Sequence, residues 1–263
     1  LAIGTLDTKG PEIGYLRDRI KDAGCECLVL DSGILGESLG ITADLTRQQV
    51  AIAAGSTIEQ LRNAGSRGKA VEEMLKGVRK LTRELFEQGK IHGVISLGGA
   101  EGGVLAAAAM KVLPIGVPKL IVSPIASGRR PFGPFIGTKD IMVMHSVVDI
   151  LGLNSVACAV FDSAAAAVAG GARAYAAKQS KPKIAQTKKQ IAATMLGNTT
   201  RPLMWIKTQI EQKNCDLVIF HANGVGGPAM EELIEQGLLH GVIDYTLSEI
   251  IGDIGGGFHQ GGP

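Results

Sequence analysis

The sequence predicts an α/β protein made of two Rossmann-like, doubly wound lobes with mainly parallel sheets and a cleft between them. Three observations carry that prediction. Short apolar runs alternate with helix-period runs along almost the whole chain, the rhythm of β-α-β units joined by right-handed crossovers. Apolar residues make up 45% of the chain and aromatics only 4%, so the interior must be assembled from Ala, Val, Ile and Leu, a composition suited to helices packed on buried parallel strands. Glycine, 36 of 263 residues, gathers where the strand-like runs end and lacks the three-residue period of a collagen. At this length two modest lobes are expected.

Taken in order, Leu1 to Gly4 reads as the first strand and runs into Thr5-Leu6-Asp7-Thr8-Lys9. Ile13, Leu16, Ile20 and Ala23 then mark one face of a helix ending at Gly24. Cys25 to Leu30 is the second strand and Asp31-Ser32-Gly33 its exit turn. Residues 34 to 66 read as loop and short helices, followed by a helix from Gly68 to Gln88. The strand Ile91 to Leu97 leads to the turn Gly98 to Gly103 and an alanine-rich helix to Lys111. The strand Lys119 to Ser123 enters a long loop, Pro124 to Thr138, where Arg129 and Arg130 offer a carboxylate or phosphate clamp, against the plainer reading of a solvated loop tip. Residues 155 to 178 read as a small-sided helix. A lysine-rich polar stretch around Pro182 marks the crossing between lobes, set at 1–184 and 185–263. The rhythm restarts with the strand Ile191 to Leu196, a helix containing Trp205, the strand Cys215 to His221, a helix from Gly227 to Gln236 and the strand Gly241 to Asp244. The chain opens directly in a strand and stops in a glycine-rich run without a closing element, as expected of part of a longer protein.

Segments 87–96 and 235–244 agree at seven of ten positions. Each is a helix stop feeding a strand: Gly89 and Gly237 stand where the chain turns left-handed after a helix, and His92 and His240 where a side chain can cap. Composition then removes several function classes. Lys plus Arg number 27 against 25 acidic residues, which gives no basic field for DNA. The four cysteines, Cys25, Cys27, Cys158 and Cys215, lack zinc spacing and read as thiols of a reducing, cytoplasmic compartment. No signal peptide pattern and no uninterrupted run of about 18 apolar residues appears, so no membrane is implied.

The chemistry is expected at the strand exits. A helix that begins just after a glycine-rich turn presents free backbone N–H groups and a partial positive charge, and so attracts phosphate. Such turns occur at Gly4 to Lys9, at Gly98 to Gly103 and at His221-Ala222-Asn223-Gly224-Val225-Gly226-Gly227, with a weaker one at Gly197-Asn198-Thr199-Thr200. For any single turn, a tight bend that merely needs glycine is an equally good account. Gly4 to Lys9 stands above that level because Thr5, Thr8, Asp7 and Lys9 come together: two hydroxyl donors, a carboxylate for a metal-bound water or a helix cap, and a neutralising ammonium. His221 is a candidate acid, base or ligand contact, balanced by a satisfied strand-end histidine. Gly224 to Ala229 also fits the dinucleotide pattern G-x-G-x-x-A, with Asp244 twenty positions on. A spacer of three residues after the strand and Pro228 at the helix start count against it, and no Walker A pattern is present.

The motifs around these turns resemble the ATP-binding domain family named for the tomato mosaic virus resistance protein. The resemblance rests on Gly4 to Glu12, Ser66 to Val71, Gly137 to Ile141, Ser146 to Asn154 and His221 to Gly227, which span nearly the whole chain in the family's order. It implies two Rossmann-like lobes, ATP with Mg²⁺ in the cleft, a homodimer, and family chains longer at the C-terminal end. The nucleotide contacts it implies are Gly4, Thr5, Asp7, Thr8 and Lys9; Gly98, Gly99, Gly102 and Gly103; Gly197, Thr199 and Thr200; and His221, Ala222, Asn223, Gly224, Gly226 and Gly227. Asp31, Arg67, Lys139, Asp140 and Asn154 complete the candidate set. Glu101 departs from the small residues usual in the first-lobe turn, and a carboxylate there repels polyphosphate, so the weight goes to Gly4 to Lys9 and to His221 to Gly227. The expected function is ATP binding, with phosphoryl transfer or hydrolysis on a small-molecule substrate as its chemistry. An NAD(P)-dependent oxidoreductase and a non-catalytic regulatory domain are the alternatives.

Overall fold

The computed structural model describes residues 1–126, 135–181 and 187–261. Arg129 and Arg130, a candidate clamp against the plainer reading of a solvated loop tip, and Pro182, in the expected crossing between lobes, lie outside the described residues. The chain divides into two compact units, Leu1–Pro182 and Lys183–Pro263.

The first unit is a five-stranded parallel sheet of order β2-β1-β3-β4-β5, formed by β1 (Ala2–Gly4), β2 (Val29–Asp31), β3 (Val94–Leu97), β4 (Lys119–Ser123) and β5 (Met142–His145). Its helices are α1 (Leu6–Asp22), α2 (Arg47–Ala53), α3 (Ile58–Arg62), α4 (Arg67–Glu87), α5 (Ala100–Lys111) and α6 (Ser155–Gln179). Strand residues alternate between two apolar layers, as the two-residue period requires. Ile3, Leu30, Val94 and Ile121 join α2, α4 and α5 on one face. Ala2, Val29, Ile95 and Leu120 join α1 and α6 on the other. Both faces being covered is why the strands read as continuous apolar runs rather than alternating ones. Each fully buried Leu, Ile or Val, such as Leu16 and Ile13 of α1, contributes about 1.5–3 kcal/mol.

Helix contacts rely on small residues where backbones meet. A Cβ on Gly77 of α4 would stand 2.0 Å from the Val50 carbonyl oxygen of α2, so only glycine permits that crossing. Helix α6 is long and apolar enough to cross a membrane by length and composition. It nevertheless carries Asp162 and Arg173, and it packs Ala157, Phe161, Ala164 and Val168 onto the sheet.

The second unit has a three-stranded parallel sheet of order β7-β6-β8, with β6 (Lys189–Met195), β7 (Cys215–His221) and β8 (Gly241–Ile243). A 3₁₀ turn (Gly197–Thr199) precedes α7 (Thr200–Glu211), and α8 (Gly226–Glu235) and α9 (Ser248–Gly255) follow. Ala192, Phe220 and Met230 form one small core and Ala193, Leu203 and Leu217 the other.

Most elements fall where the residue pattern puts them. Gly89 and Gly237 have φ of 68° and 69°, the left-handed stops expected, and His240 Nδ1 accepts from the Gln190 N–H, 3.1 Å away. Strand β2 is shorter and later than expected, and β5 and α9 were not anticipated. β5 carries no fully buried residue, so its edge position leaves a weak apolar signal. Helix α1 starts earlier than the turn reading implied, at Leu6, with a break at Lys9 (φ −127°, ψ 19°).

Candidate functional site

In the strand order of the first unit, β1 connects outward to β2 and then back across to β3. The connection reverses between β1 and β3, and ligands of open α/β sheets bind at the C-terminal edge of such a reversal. A cavity of about 970 Å³ opens there. Its wall includes Thr5, Asp7, Thr8 and Lys9 after β1, Ser32 and Gly33 after β2, Arg67 at the start of α4, and Gly98, Gly99, Glu101 and Gly102 after β3.

Two helices, α1 and α5, point their starts at this space. Neither Thr5, the N-cap of α1, nor Gly99, the N-cap of α5, caps its helix with its own side chain, but Asp31 Oδ1 accepts from Leu6 N at the start of α1, so the α5 start is the more open of the two. By contrast, α4 is capped by Ser66, whose Oγ accepts from the Lys69 N–H at 3.3 Å. Thr5 and Thr8 share a hydroxyl contact of 2.8 Å on the rim. The Asp7 carboxylate accepts from the Gly36 N–H at 3.0 Å through Oδ2. Lys9 Nζ donates to the Ile150 carbonyl, which occupies one of an ammonium's three protons and leaves two. Glu12, buried beside it, accepts from the Gly152 N–H at 2.7 Å. The Gly4 to Glu12 and Ser146 to Asn154 segments are therefore physically tied: α1 holds the 150–152 segment by two side chains.

Glu101 does not face the α5 start as a free charge. Its Oε2 lies 2.5 Å from Arg67 Nη2, so the one carboxylate of the glycine turn is paired across the cavity mouth. Asp31 is a different case, because its carboxylate is fully engaged inside the protein. Oδ1 accepts from Leu6 N at 3.1 Å and Gly33 N at 2.9 Å, while Oδ2 accepts from Ser38 Oγ at 2.9 Å and Arg47 Nε at 2.8 Å. Both ionic side chains are buried, 3% exposed for Arg47 and 2% for Asp31. Asp31 thus frames the turns beneath the cavity and is not presented to it.

Other members of the predicted set lie elsewhere. Gly4 packs on Ile13 and Gly103 on the Phe135 ring, each at a distance no Cβ would tolerate; they allow close packing next to the cavity. Lys139 and Asp140 belong to the opposite, N-terminal edge of the sheet. There Asp140 accepts from Lys119 Nζ and Gly116 N, both at 2.7 Å, and Lys119 also donates to the Pro114 and Val117 carbonyls. Burial pulls the Lys119 ammonium below its usual pKa, and Asp140 pulls it partly back. Asn154 is the cap of α6, its Oδ1 accepting from Ala157 N at 2.9 Å. Ser32 also lines the cavity, and the sequence presents it as an ordinary turn residue. Its only signal is position, one residue beyond β2.

The second unit arranges its turns differently. Gly224 takes φ +100°, and α8 begins at Val225 with no side-chain cap. The Glu249 carboxylate from α9, 7% exposed, fills the place a ligand anion would take: Oε1 accepts from Gly224 N at 2.7 Å and Oε2 from Gly227 N at 2.9 Å. Ala222 N and Asn223 N are bonded to Met195 O and His221 O. At the Gly197 to Thr200 turn, Thr199 Oγ1 lies 2.7 Å from Thr246 Oγ1, and Thr200 Oγ1 donates to Leu196 O. Asp244, the predicted ribose acid of a dinucleotide site, accepts from Thr194 Oγ1 at 2.7 Å. The groups a dinucleotide would require here are engaged within the unit. Among the described residues, no cluster of three or more His, Cys, Asp or Glu is spaced to hold a metal.

Comparison with known proteins follows the same division. Residues 1–177 match the model of the N-terminal domain of an uncharacterised protein family, UPF0261, and residues 188–263 match that of its C-terminal domain. A UPF0261 protein of Clostridium tetani is 39% identical over 263 residues, all of this chain and 63% of the relative. One from Rhizobium meliloti is 33% identical over 97% of this chain and 61% of its own length. The ToMV resistance protein Tm-1 of Solanum lycopersicum is 37% identical over 194 residues, 74% of this chain and 26% of that protein. The chain thus spans about three-fifths of the bacterial relatives' length, and with both domain models matched it belongs to the UPF0261 family.

Proposed function

We propose that this protein binds ATP with Mg²⁺ in the first-unit cavity, its phosphates lodged between the starts of α1 and α5. The observation that supports this most is the uncapped start of α5 beside the start of α1 at the β1/β3 reversal, over a cavity of about 970 Å³. Such starts supply oriented N–H donors and positive potential, which phosphate matches and an apolar ligand does not. Thr5 and Thr8 add hydroxyl donors, and Lys9 and Arg67 add cationic charge at the wall.

Mg²⁺ suits this donor set. It keeps several waters and needs only one or two carboxylates when a polyphosphate supplies the remaining oxygens. Asp7 is the carboxylate in position, with Oδ2 held by Gly36 N. When bound, the ion would neutralise phosphate charge; the chain's own residues position the nucleotide. Phosphoryl transfer or hydrolysis is the chemistry proposed for the loaded site, since that reaction depends mainly on positioning and charge stabilisation.

Thermal shift with Mg-ATP, Mg-ADP, NAD and NADP tests the reading. At a ligand concentration of about 100 times Kd the fold gains roughly 2.7 kcal/mol, which ATP and ADP should deliver. A shift from NAD or NADP alone overturns the proposal. Binding without turnover across a metabolite panel assigns the protein to the regulatory reading instead.

A further inference from the structure

We infer that Ser32 is the contact for the ribose hydroxyls of the nucleotide; the inference rests on the nucleotide reading of the cavity. Three observations lead there. First, Ser32 lines the cavity wall, is 1% exposed, and its Oγ has no hydrogen-bond partner. Buried hydroxyls are nearly always bonded, and an unpaired one at a ligand-sized cavity marks a group awaiting a partner.

Second, its place in the sheet selects the sugar rather than the phosphates. The starts of α1 and α5 follow β1 and β3, so the anionic part of a ligand lies over that reversal. Ser32 follows β2, the strand on the far side of β1. In dinucleotide-binding sheets, whose strand order differs from this one, an Asp or Glu meets the ribose hydroxyl to one side of the phosphate turn; Ser32 holds a comparable lateral position here.

Third, the acid at that strand end is unavailable. Asp31 accepts from two backbone N–H groups, Ser38 and Arg47, and the pair is almost wholly buried. Its bond to Gly33 N also fixes the turn that carries Ser32. Ser32 N donates to the Gly4 carbonyl at 2.9 Å, so both sides of the residue are tied and rotation about Cα–Cβ is the hydroxyl's remaining freedom. A serine hydroxyl both donates and accepts, which suits a ribose hydroxyl.

The test is a comparison of Mg-ATP with its 2′-deoxy and 3′-deoxy analogues, titrated calorimetrically into the wild-type chain, Ser32→Ala and Ser32→Cys. One neutral hydrogen bond corresponds to about three- to tenfold in affinity. Wild type should prefer ATP over at least one deoxy analogue by that factor. Ser32→Ala should bind ATP that much more weakly and bind the same analogue with unchanged affinity, erasing the preference. Ser32→Cys, which keeps shape but weakens the bond, should do the same. If both variants keep the wild-type preference, or lose affinity for ATP and analogues alike, the ribose assignment is overturned while the nucleotide reading stands. If wild type takes up no Mg-ATP, the nucleotide reading fails and this one with it.

Discussion

The two units solve the same local problem in opposite ways. Each has an apolar parallel strand, a glycine-rich exit and a helix start with N–H groups to satisfy. After β3, the Gly98 to Gly103 turn leaves its helix start uncapped on a cavity, and its one carboxylate, Glu101, turns to Arg67. After β7, the Asn223 to Gly227 turn receives Glu249 from α9 as a built-in anion. The difference teaches that glycine spacing specifies a concave set of donors and leaves open what fills it. A residue distant in sequence decides whether the donors meet a ligand or the protein itself.

The largest test of this contrast is its frame. Asp31→Ala removes the buried partner of Arg47 and the acceptor for Leu6 N and Gly33 N, so it should destabilise the first unit by about 3–5 kcal/mol. Chemical denaturation measures this. A loss under about 1 kcal/mol would show that the turns hold themselves and that Asp31 is free to serve a ligand.

Glu249→Ala is the next largest. It strands two half-buried N–H donors and should cost about 1–3 kcal/mol, with nucleotide affinity unchanged. If the variant instead keeps its stability and gains affinity for inorganic phosphate, the second turn is an anion site that Glu249 blocks, and the contrast collapses.

Asp140 separates the two edges of the first sheet. Asp140→Asn should cost about 1–2 kcal/mol, because Lys119 stays buried with only carbonyls and an amide around it, yet leave nucleotide binding intact. Its pH signature has a definite sign. The folded pKa of Lys119 lies below 10.5, so in the alkaline window between the folded value and 10.5 the unfolded chain binds more protons. Stability contributed at this site therefore rises with pH there. Without Asp140 the folded value drops further, and the rise should begin at lower pH and be larger. Urea midpoints between neutral pH and about 10, with Lys119→Met as the flat control, would check it.

Much of the fold was legible because its signals are local. The strand Cys215–His221 and the helix ending at Lys111 follow from apolar period and glycine stops alone. Strand β5 was not legible, since Met142 and His145 at an exposed edge give no buried pattern. The site was legible in part: Thr5, Asp7, Thr8, Lys9, Arg67 and the Gly98 to Gly102 turn do meet at one cavity. What sequence could not supply is partnership at long range. Arg67 lies 34 positions from Glu101, and Glu249 lies 25 from Gly224. The pairing of Glu101 with Arg67 and the entry of Glu249 into the Asn223 to Gly227 turn have no local signal. The role proposed for Ser32 has no local signal either, since it depends on Arg47 holding Asp31.

The smallest effect on stability gives the sharpest test of the open turn. Arg67 and Glu101 are 71% and 47% exposed, and exposed pairs contribute about 0–1 kcal/mol, so Glu101→Gln should leave the denaturation midpoint nearly unmoved. Its effect on binding should be larger. Removing the carboxylate takes away a repulsive charge from the α5 start and releases Arg67 toward an incoming phosphate, so Mg-ATP affinity should rise about three- to tenfold, with more gain at low salt than at high. Arg67→Ala should lower affinity by a similar factor, because it leaves Glu101 unneutralised at the cavity mouth. The pair of variants separates two roles that the salt bridge alone leaves equivalent. If Glu101→Gln and Arg67→Ala shift affinity in the same direction, the bridge acts as a structural strap over the cavity, and the α5 start is not where the phosphates bind.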